Sequence, residues 1–282
     1  MKKQHLLYGI RNNKLVHISE VEKGIKCDCT CPACKGRLIA KKGNKVIHHF
    51  AHYNADECEY GYQTSLHLAA KEILLNAKEI FIPALFLKIP FSNRYPIKIV
   101  DAQMVKIDNV EVEKTQDNII PDVIVYSLGR KFYVEIFVTH AIDEDKLKKI
   151  KKSKISTIEI DLSKIDREIT DEELKHFILD DCEEKSWKYN VNTELWLEKF
   201  KMIADKKAIS ARGMAQHIDY CPVKMRTYRG KPYANFIDDC IYCEYYFGDY
   251  DNGILCTGSK MIATKEDYLN YIKNNNKNII MD

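Results

Sequence analysis

Two carboxylates on a predicted hairpin are the side chains of this sequence best placed to do chemistry. The segment 119–161 alternates strand-like runs with one helical stretch, and Leu128-Gly129 separates the first two runs. A hairpin centred on that turn pairs residues whose numbers sum to about 257, so Asp122 lies opposite Glu135. Neighbouring carboxylates repel each other unless they share a hard cation, for which oxygen ligands suit Mg²⁺ or Mn²⁺. The pattern therefore predicts a divalent-metal site at the open end of the hairpin.

The helix after the hairpin adds a cation on its inward face. Ile142, Leu147 and Ile150 form one apolar stripe at helical spacing, and Lys146 falls inside that stripe. Two carboxylates, a metal and a lysine suit metal-assisted phosphodiester hydrolysis, in which the lysine stabilises developing negative charge. The alternative is an ordinary surface hairpin with Lys146 extending to solvent.

A second helix and further strands must position these groups. An amphipathic helix is predicted over 63–78, with Gln63, His67 and Lys71 spaced four apart at the border of its apolar face. Residues 96–114 alternate as a first long strand, and 156–161 form a last strand. The predicted order is helix, three strands, helix, strand, and Lys71 is a second candidate for the catalytic lysine.

Pro121-Asp122, followed by Glu135 on the next strand, resembles the PD-(D/E)XK nuclease superfamily. The resemblance implies an α/β (α+β) fold with a restriction-endonuclease-like core and a mixed central sheet. It also implies an Mg²⁺-dependent nuclease, a hydrolase of phosphodiester bonds. The pattern places a lysine two residues after the glutamate, where this chain has Phe137, and Lys146 could replace it from the helix. His140, at the mouth of that helix, could contact phosphate, relay a proton or orient the turn.

The N-terminal cysteines and histidines predict a structural zinc site. Cys31-Pro-Ala-Cys34 places two thiolates on a tight turn, so both can reach one tetrahedral ion. We favour His52 and Cys58 as the other two ligands, with His49 as the substitute. Cys27 and Cys29 are further thiols that could enter the site.

The Cys-Pro-x-Cys turn, a short hairpin and His49-Phe-Ala-His52 resemble the competence protein CoiA-like family over residues 27–71, and the order of elements continues to match to about 161. Members join an N-terminal zinc-binding lobe to a PD-(D/E)XK nuclease domain, which implies a role in processing incoming DNA. Family members carry a glutamate four residues before the helix histidine, where this chain has Gln63. The resemblance thus implies supporting roles for Gln63 and His67.

Four cysteines near the C-terminus predict a second structural Zn²⁺ site. They comprise a Cys-x-x-Cys turn and two separate turn cysteines: Cys221, Cys240, Cys243 and Cys256. The surrounding segment mixes basic and aromatic residues, from Lys224 to Tyr233, which suits phosphate contact and base stacking as well as a solvated loop.

Composition limits the class of protein. The chain has 282 residues, 45% hydrophobic content and a net charge of +3, so a core is expected but overall charge does not by itself argue for nucleic acid. No apolar run has transmembrane length and the N-terminus lacks a signal-peptide core, so we expect a cytoplasmic protein without membrane contact. Ten cysteines then favour metal binding over disulfides.

We predict four segments: an N-terminal zinc-binding lobe over 1–60, a nuclease-like core over 61–165, a helical segment over 166–215 and a four-cysteine zinc-finger-like segment over 216–282. The expected activity is metal-dependent hydrolysis of nucleic acid, with DNA as the expected partner and a homo-oligomer or protein partner also possible. Alternatives are an inactive nucleic-acid-binding module of the same fold, a nuclease of a foreign-DNA defence system, and a zinc-held interaction scaffold.

Overall fold

The structure is a computed structural model that describes residues 5–44, 47–56, 58–116, 118–139, 142–166, 168–181 and 183–279. In these residues the chain forms five α-helices: α1 (Gly61–Leu75), α2 (Glu144–Ser153), α3 (Asp171–Leu179), α4 (Val191–Ile203) and α5 (Lys265–Ile279). No helix in the described ranges is both long enough and apolar enough to span a membrane.

The first strands build the N-terminal half of the chain. They are β1 (Tyr8–Arg11), β2 (Lys14–His17), β3 (Leu38–Lys41), β4 (His49–His52), β5 (Glu79–Ile82), β6 (Leu85–Leu87), β7 (Ile97–Val100), β8 (Gln103–Lys106), β9 (Asn109–Val112), β10 (Val123–Ser127) and β11 (Arg130–Phe137).

The later strands are β12 (Thr157–Asp161), β13 (Lys185–Tyr189), β14 (Asp205–Arg212), β15 (Ala215–Asp219), β16 (Arg226–Tyr228), β17 (Lys231–Asn235), β18 (Tyr246–Tyr250) and β19 (Gly253–Cys256). The chain divides into two compact units, one formed by Met1–Pro83 with Ala102–Asn190 and the other by Ala84–Asp101 with Val191–Asp282. The four-segment division proposed from sequence stays a prediction.

The first unit is built on a mixed five-stranded sheet with strand order β13-β12-β11-β10-β9. Strands β9, β10 and β11 are antiparallel, and β12 pairs in parallel with β11 after the α2 crossover. Helix α1 buries Leu66, Ala70 and Leu74 in the core that also contains Val123 and Val134. Strands β5–β8 lie between α1 and β9 and pair in other sheets; the remaining order α1, β9, β10, β11, α2, β12 follows the predicted helix, three strands, helix, strand.

The β10–β11 hairpin forms where the sequence predicts it. Val123 pairs with Val134 and Ser127 with Arg130, so paired residue numbers sum to 257. Leu128 and Gly129 have φ of 50° and 70°, the left-handed conformations that a two-residue turn needs. Because the register is fixed by this turn, Asp122 and Glu135 come to one end of the hairpin.

The fold differs from the sequence expectation in the predicted first strand, in the predicted helical segment and in the second unit. Residues 96–114 form three short strands in three separate sheets, of which only β9 joins the five-stranded sheet. The expected helical segment includes β13, whose Lys185 and Trp187 donate hydrogen bonds to the carbonyl oxygens of Phe81 and Pro83. These contacts between distant residues override local helical propensity.

The second unit holds an antiparallel six-stranded sheet with order β16-β17-β15-β14-β19-β18. Strand β14 lies in the segment expected to be helical, and most of the other strands lie in the segment expected to be zinc-finger-like. The sequence contains a signal for the β14–β15 hairpin, because 205–219 alternates on both sides of Gly213. Gly213 has φ of 65° in the turn between these two strands.

Candidate functional site

Asp122 and Glu135 come together at the end of the β10–β11 hairpin. The backbone N–H of Ile136 donates to Asp122 Oδ2 at 2.9 Å, which fastens the Asp122 carboxylate to the strand that carries Glu135. Glu135 is 4% exposed. Burial, and then the negative charge of Asp122, raise the pKa of Glu135 to about 7. The fold therefore keeps two mutually repelling carboxylates in contact.

Helix α1 directs its four-residue stripe onto this pair. His67 Nε2 lies 2.9 Å from Asp122 Oδ2, and Thr139 Oγ1 donates to Gln63 Oε1 at 2.6 Å. Lys71 Nζ lies 3.4 Å from Asp122 Oδ1. Burial opposes ionisation of Asp122, but the hydrogen bond and charge of His67, the Ile136 N–H and Lys71 together lower its pKa to about 2. His67 and Lys71 thus contact Asp122, whereas Gln63 contacts Thr139.

Lys146 of α2 reaches Glu135, as its place in the apolar stripe predicted. Its Nζ lies 2.6 Å from Glu135 Oε2, and its side chain is 27% exposed. The helix begins at the N-cap Asp143, whose side chain accepts a hydrogen bond from the Lys146 N–H. The position of Lys146 is therefore set by the helix start as well as by the ion pair.

The second oxygen of Glu135 makes the site suitable for a cation. Among the described residues, no hydrogen-bond donor reaches the buried Glu135 Oε1. A buried carboxylate oxygen without a donor is costly unless something positive binds it. Two carboxylates with one free oxygen fit Mg²⁺ or Mn²⁺, which bind through one or two carboxylates and retain waters.

Two further acidic residues near the pair were not assigned to the site from sequence. Glu113, just after β9, accepts from Lys71 Nζ at 2.7 Å, so Lys71 bridges Glu113 and Asp122. Glu159 on β12 is the parallel neighbour of Glu135 and is 3% exposed. Both Glu159 oxygens are occupied, one by Lys188 at 2.6 Å and one by the Ile142 N–H at 3.2 Å. The register of a predicted parallel pair would have brought Glu159 next to Glu135.

His140 lies outside the described residues, so its expected contact is untested. Phe137, at the position where the superfamily pattern has a lysine, is half-buried on β11. The lysines that approach the carboxylates come from α1 and α2 instead.

The N-terminal lobe brings together four metal-ligating atoms. Cys31, Cys34, His52 and Cys58 each offer one atom, and these atoms all lie within 4.8 Å of one another. Three thiolates and an imidazole are a tetrahedral zinc set, so this cluster could hold a structural Zn²⁺. Within the described ranges, it is the group of three or more Cys, His, Asp or Glu residues whose ligand atoms all lie this close together.

Local structure explains how the cluster forms. The Cys31 N–H donates to the Gly36 carbonyl and the Lys35 N–H to the Cys31 carbonyl, which closes the turn between the first two cysteines. A side chain at Gly36 would place its Cβ 3.3 Å from both Cys34 Sγ and an atom of His52, so a larger residue there would push these two ligands aside. The Gly36 backbone lowers the pKa of Cys34, while burial raises that of Cys31 to about 11.

The other sulfur and imidazole candidates of this lobe lie outside the cluster. His49 Nδ1 lies 2.7 Å from the Ile47 carbonyl, so the substitute ligand is engaged elsewhere. Cys27 and Cys29 are fully buried and donate to the carbonyl oxygens of Leu38 and Cys27. The structure therefore favours His52 over His49.

The four C-terminal cysteines lie near one another, but their sulfur atoms do not all lie within 4.8 Å of one another. Cys240 and Cys243 flank a short 3₁₀ turn, Cys256 ends β19, and Cys221 follows β15. Burial raises the pKa of Cys240 to about 12, and the charges of the other three thiols act in the same direction. The four thiols are therefore close enough to influence one another's pKa, but they are farther apart than the N-terminal ligands.

Residues 12–61 match the family model of the competence protein CoiA N-terminal domain. This match contains the four-ligand cluster and ends at the first residue of α1, so it supports the CoiA-like resemblance over the zinc lobe. Searches of curated proteins and of solved structures returned no match.

Proposed function

We propose that the protein is a metal-dependent nuclease that hydrolyses phosphodiester bonds of nucleic acid, with DNA as the substrate. The observation that carries this proposal is the contact of Asp122 with Glu135, whose buried Oε1 has no donor among the described residues. A fold that keeps repelling carboxylates together is explained by a shared divalent cation.

The order of elements supports a PD-(D/E)XK type of core. A helix precedes an antiparallel three-stranded meander, and a crossover helix leads to a parallel fourth strand. Asp122 and Glu135 stand at the positions of the two acidic residues in that superfamily's pattern. The carrier of the lysine differs, because position 137 is Phe.

The chain's residues take distinct roles in this proposal. Asp122 and Glu135 would hold Mg²⁺ or Mn²⁺, which when bound polarises the scissile phosphate and lowers the pKa of water. Lys146 stabilises negative charge that develops on the phosphate. His67 and Lys71 hold Asp122 ionised and oriented, and we assign supporting roles to Gln63 and His140 from the sequence.

The zinc lobe has a structural role in the proposed enzyme. A closed set of four ligands leaves no open position for a substrate, so Zn²⁺ there stabilises the lobe. We assign a second structural Zn²⁺ to the C-terminal cysteines, with small movements of their turns closing the set. Metal analysis of the purified protein would then find two zinc ions per chain, and one per chain would contradict the second site.

The CoiA-like zinc lobe favours processing of incoming DNA during competence in the cytoplasm, and a foreign-DNA defence nuclease is the alternative setting. Cleavage of single-stranded DNA alone would support the competence setting. Cleavage of duplex DNA alone would favour the defence setting.

A cleavage assay tests the activity directly. Labelled single- and double-stranded DNA and RNA are incubated with the zinc-loaded protein, with and without Mg²⁺ or Mn²⁺, beside Asp122→Ala and Glu135→Ala. We expect cleavage that needs the added metal and is lost in both variants. Cleavage retained by a folded double variant would contradict the assignment.

A second candidate is a nucleic-acid-binding module of the same fold that does not cleave. Phe137 and Gln63 favour it, because each replaces a charged residue of the resembled families, and the Gln63 oxygen is already engaged by Thr139. This module would bind nucleic acid in a salt-dependent way, with no response to Mg²⁺ or to Asp122→Ala.

A further inference from the structure

The β16–β17 hairpin of the second unit carries an exposed basic and aromatic surface. Residues 224–231 are all exposed and include two lysines and two arginines with no acidic residue. Arg229 and Gly230 have φ of 48° and 76°, so a tight two-residue turn fixes the tip. The hairpin lies at one edge of the six-stranded sheet.

Strand register places the aromatic residues of this hairpin on one face of the sheet. Tyr228 pairs with Lys231, and Tyr233 pairs with both Arg226 and Asp219. Alternate residues of a strand share a face, so these side chains lie on the side opposite the buried Ile218 and Ala234. The face that carries them is the one turned away from the core.

A small cleft of about 110 Å³ opens among these side chains. Tyr220, Tyr228 and Tyr233 line it together with Arg212 and Lys231. Tyr220 and Tyr228 are 65% and 60% exposed, and the Arg229 guanidinium lies 5.4 Å from the centre of the Tyr228 ring. Exposed rings beside cations offer stacking surfaces to planar, negatively charged ligands.

The charges of this surface divide into paired and unpaired groups. Arg212 is bound to Asp219 at 2.6 Å, and Arg226 to Asp239 at 2.7 Å, so these arginines hold the cleft and the hairpin in place. Among the described residues no carboxylate forms an ion pair with Lys224, Arg229 or Lys231. The surface is therefore left with positive charge next to its tyrosines.

We propose that this cleft binds single-stranded nucleic acid, with a base stacked on Tyr228 and phosphates held by Arg229 and Lys231. The proposal rests on the proposed function in that it assumes a nucleic-acid substrate, and it names the strandedness that the substrate has at this surface. A single strand fits because its bases are free to stack, whereas bases inside a duplex are already stacked on each other.

Anisotropy of a fluorescent oligothymidine, measured without Mg²⁺ on the zinc-loaded full chain, tests the proposal. We expect the wild type to bind this strand more tightly than a duplex of equal length. Tyr228→Ala with Lys231→Ala should weaken binding at least about tenfold, since stacking and a phosphate contact are both lost. The matched control removes an exposed tyrosine and lysine elsewhere in the same unit, Tyr95→Ala with Lys88→Ala, and should bind as the wild type does.

A conservative variant separates stacking from packing. Tyr228→Phe keeps the ring and should bind normally, whereas Tyr228→Leu should bind weakly. Equal binding by the wild type and the hairpin double variant, or preference for duplex, would overturn the proposal and leave the charges as protection of a sheet edge. Strand binding is measured without Mg²⁺ and cleavage with Mg²⁺ or Mn²⁺, so failure of the cleavage proposal and failure of this one give different results.

Discussion

The four N-terminal ligands and the Asp122–Glu135 pair bring metal-binding groups together in two different ways. Cys31, Cys34, His52 and Cys58 converge within 4.8 Å with no lysine paired to them among the described contacts. Asp122 and Glu135 also converge, but lysines from two helices partly neutralise them. Four ligands with no lysine beside them suit a permanent ion, whereas a carboxylate pair that lysines already half-neutralise suits an ion that exchanges with water and substrate.

Removing the zinc ligands should have the largest effect, on bound zinc and on folding of the N-terminal lobe. Cys31→Ser with Cys34→Ser should lower bound zinc by one ion per chain and unfold the N-terminal lobe. Structural zinc contributes on the order of 10 kcal/mol to folding in zinc-finger peptides. Metal analysis and hydrogen exchange over residues 12–61 would measure both changes.

The control for that experiment is Cys27→Ser with Cys29→Ser, which alters two buried thiols outside the cluster. It should keep its zinc even if it loses some stability. Loss of the same zinc ion in the control, or full zinc in the Cys31 and Cys34 variant, would remove the distinction between the two pairs.

The two lysines should separate catalysis from stability. Lys146→Met should reduce cleavage about 100-fold, as loss of one charge-stabilising group does. It should lower the free energy of unfolding less than Lys71→Met does, because the Lys146 side chain is 27% exposed. Lys71→Met should lower that free energy by about 2 kcal/mol, because the 6%-exposed ammonium bridges Asp122 and Glu113. Cleavage rates and urea denaturation measure the two effects. A fully active Lys146→Met beside a stable but inactive Lys71→Met would transfer the catalytic role to Lys71.

The neighbouring glutamates should respond in opposite directions to loss of charge. Glu159→Gln should destabilise the protein by about 2 kcal/mol, because it weakens an ion pair with Lys188 and a hydrogen bond that satisfy both oxygens. Glu135→Gln, measured without divalent metal, should leave stability unchanged or raise it, since repulsion from Asp122 disappears. Thermal unfolding at neutral pH compares them, and a larger loss for Glu135→Gln would mean that this carboxylate is structural.

The smallest effect concerns Gln63. Gln63→Glu adds a negative charge on the helix face that carries His67 and Lys71 and should strengthen Mn²⁺ binding by up to about tenfold. Gln63→Leu serves as the control that removes the amide without adding charge. Equal Mn²⁺ binding by Gln63→Glu and Gln63→Leu would show that a charge at this helix position does not affect the metal.

Much of the site followed from local patterns. The Leu128-Gly129 turn fixed the register, which placed Asp122 beside Glu135. Helical spacing singled out Lys71 and Lys146, whereas the family resemblance supplied the roles of Gln63 and His67. The partner of Lys71 could not be predicted, because Glu113 follows a strand whose sheet is decided by tertiary contacts. The same cause hid β13, which depends on hydrogen bonds from Lys185 and Trp187 to residues about a hundred positions earlier.

Binding of Mn²⁺ to the zinc-loaded protein, followed by the electron paramagnetic resonance signal of the free ion, tests the central claim most directly. We predict one exchangeable Mn²⁺ per chain in the wild type and in Glu159→Gln, and none in Asp122→Asn or Glu135→Gln. Undiminished Mn²⁺ binding in Glu135→Gln, or equal loss in Glu159→Gln, would contradict the assignment of the Asp122 and Glu135 pair as the metal site.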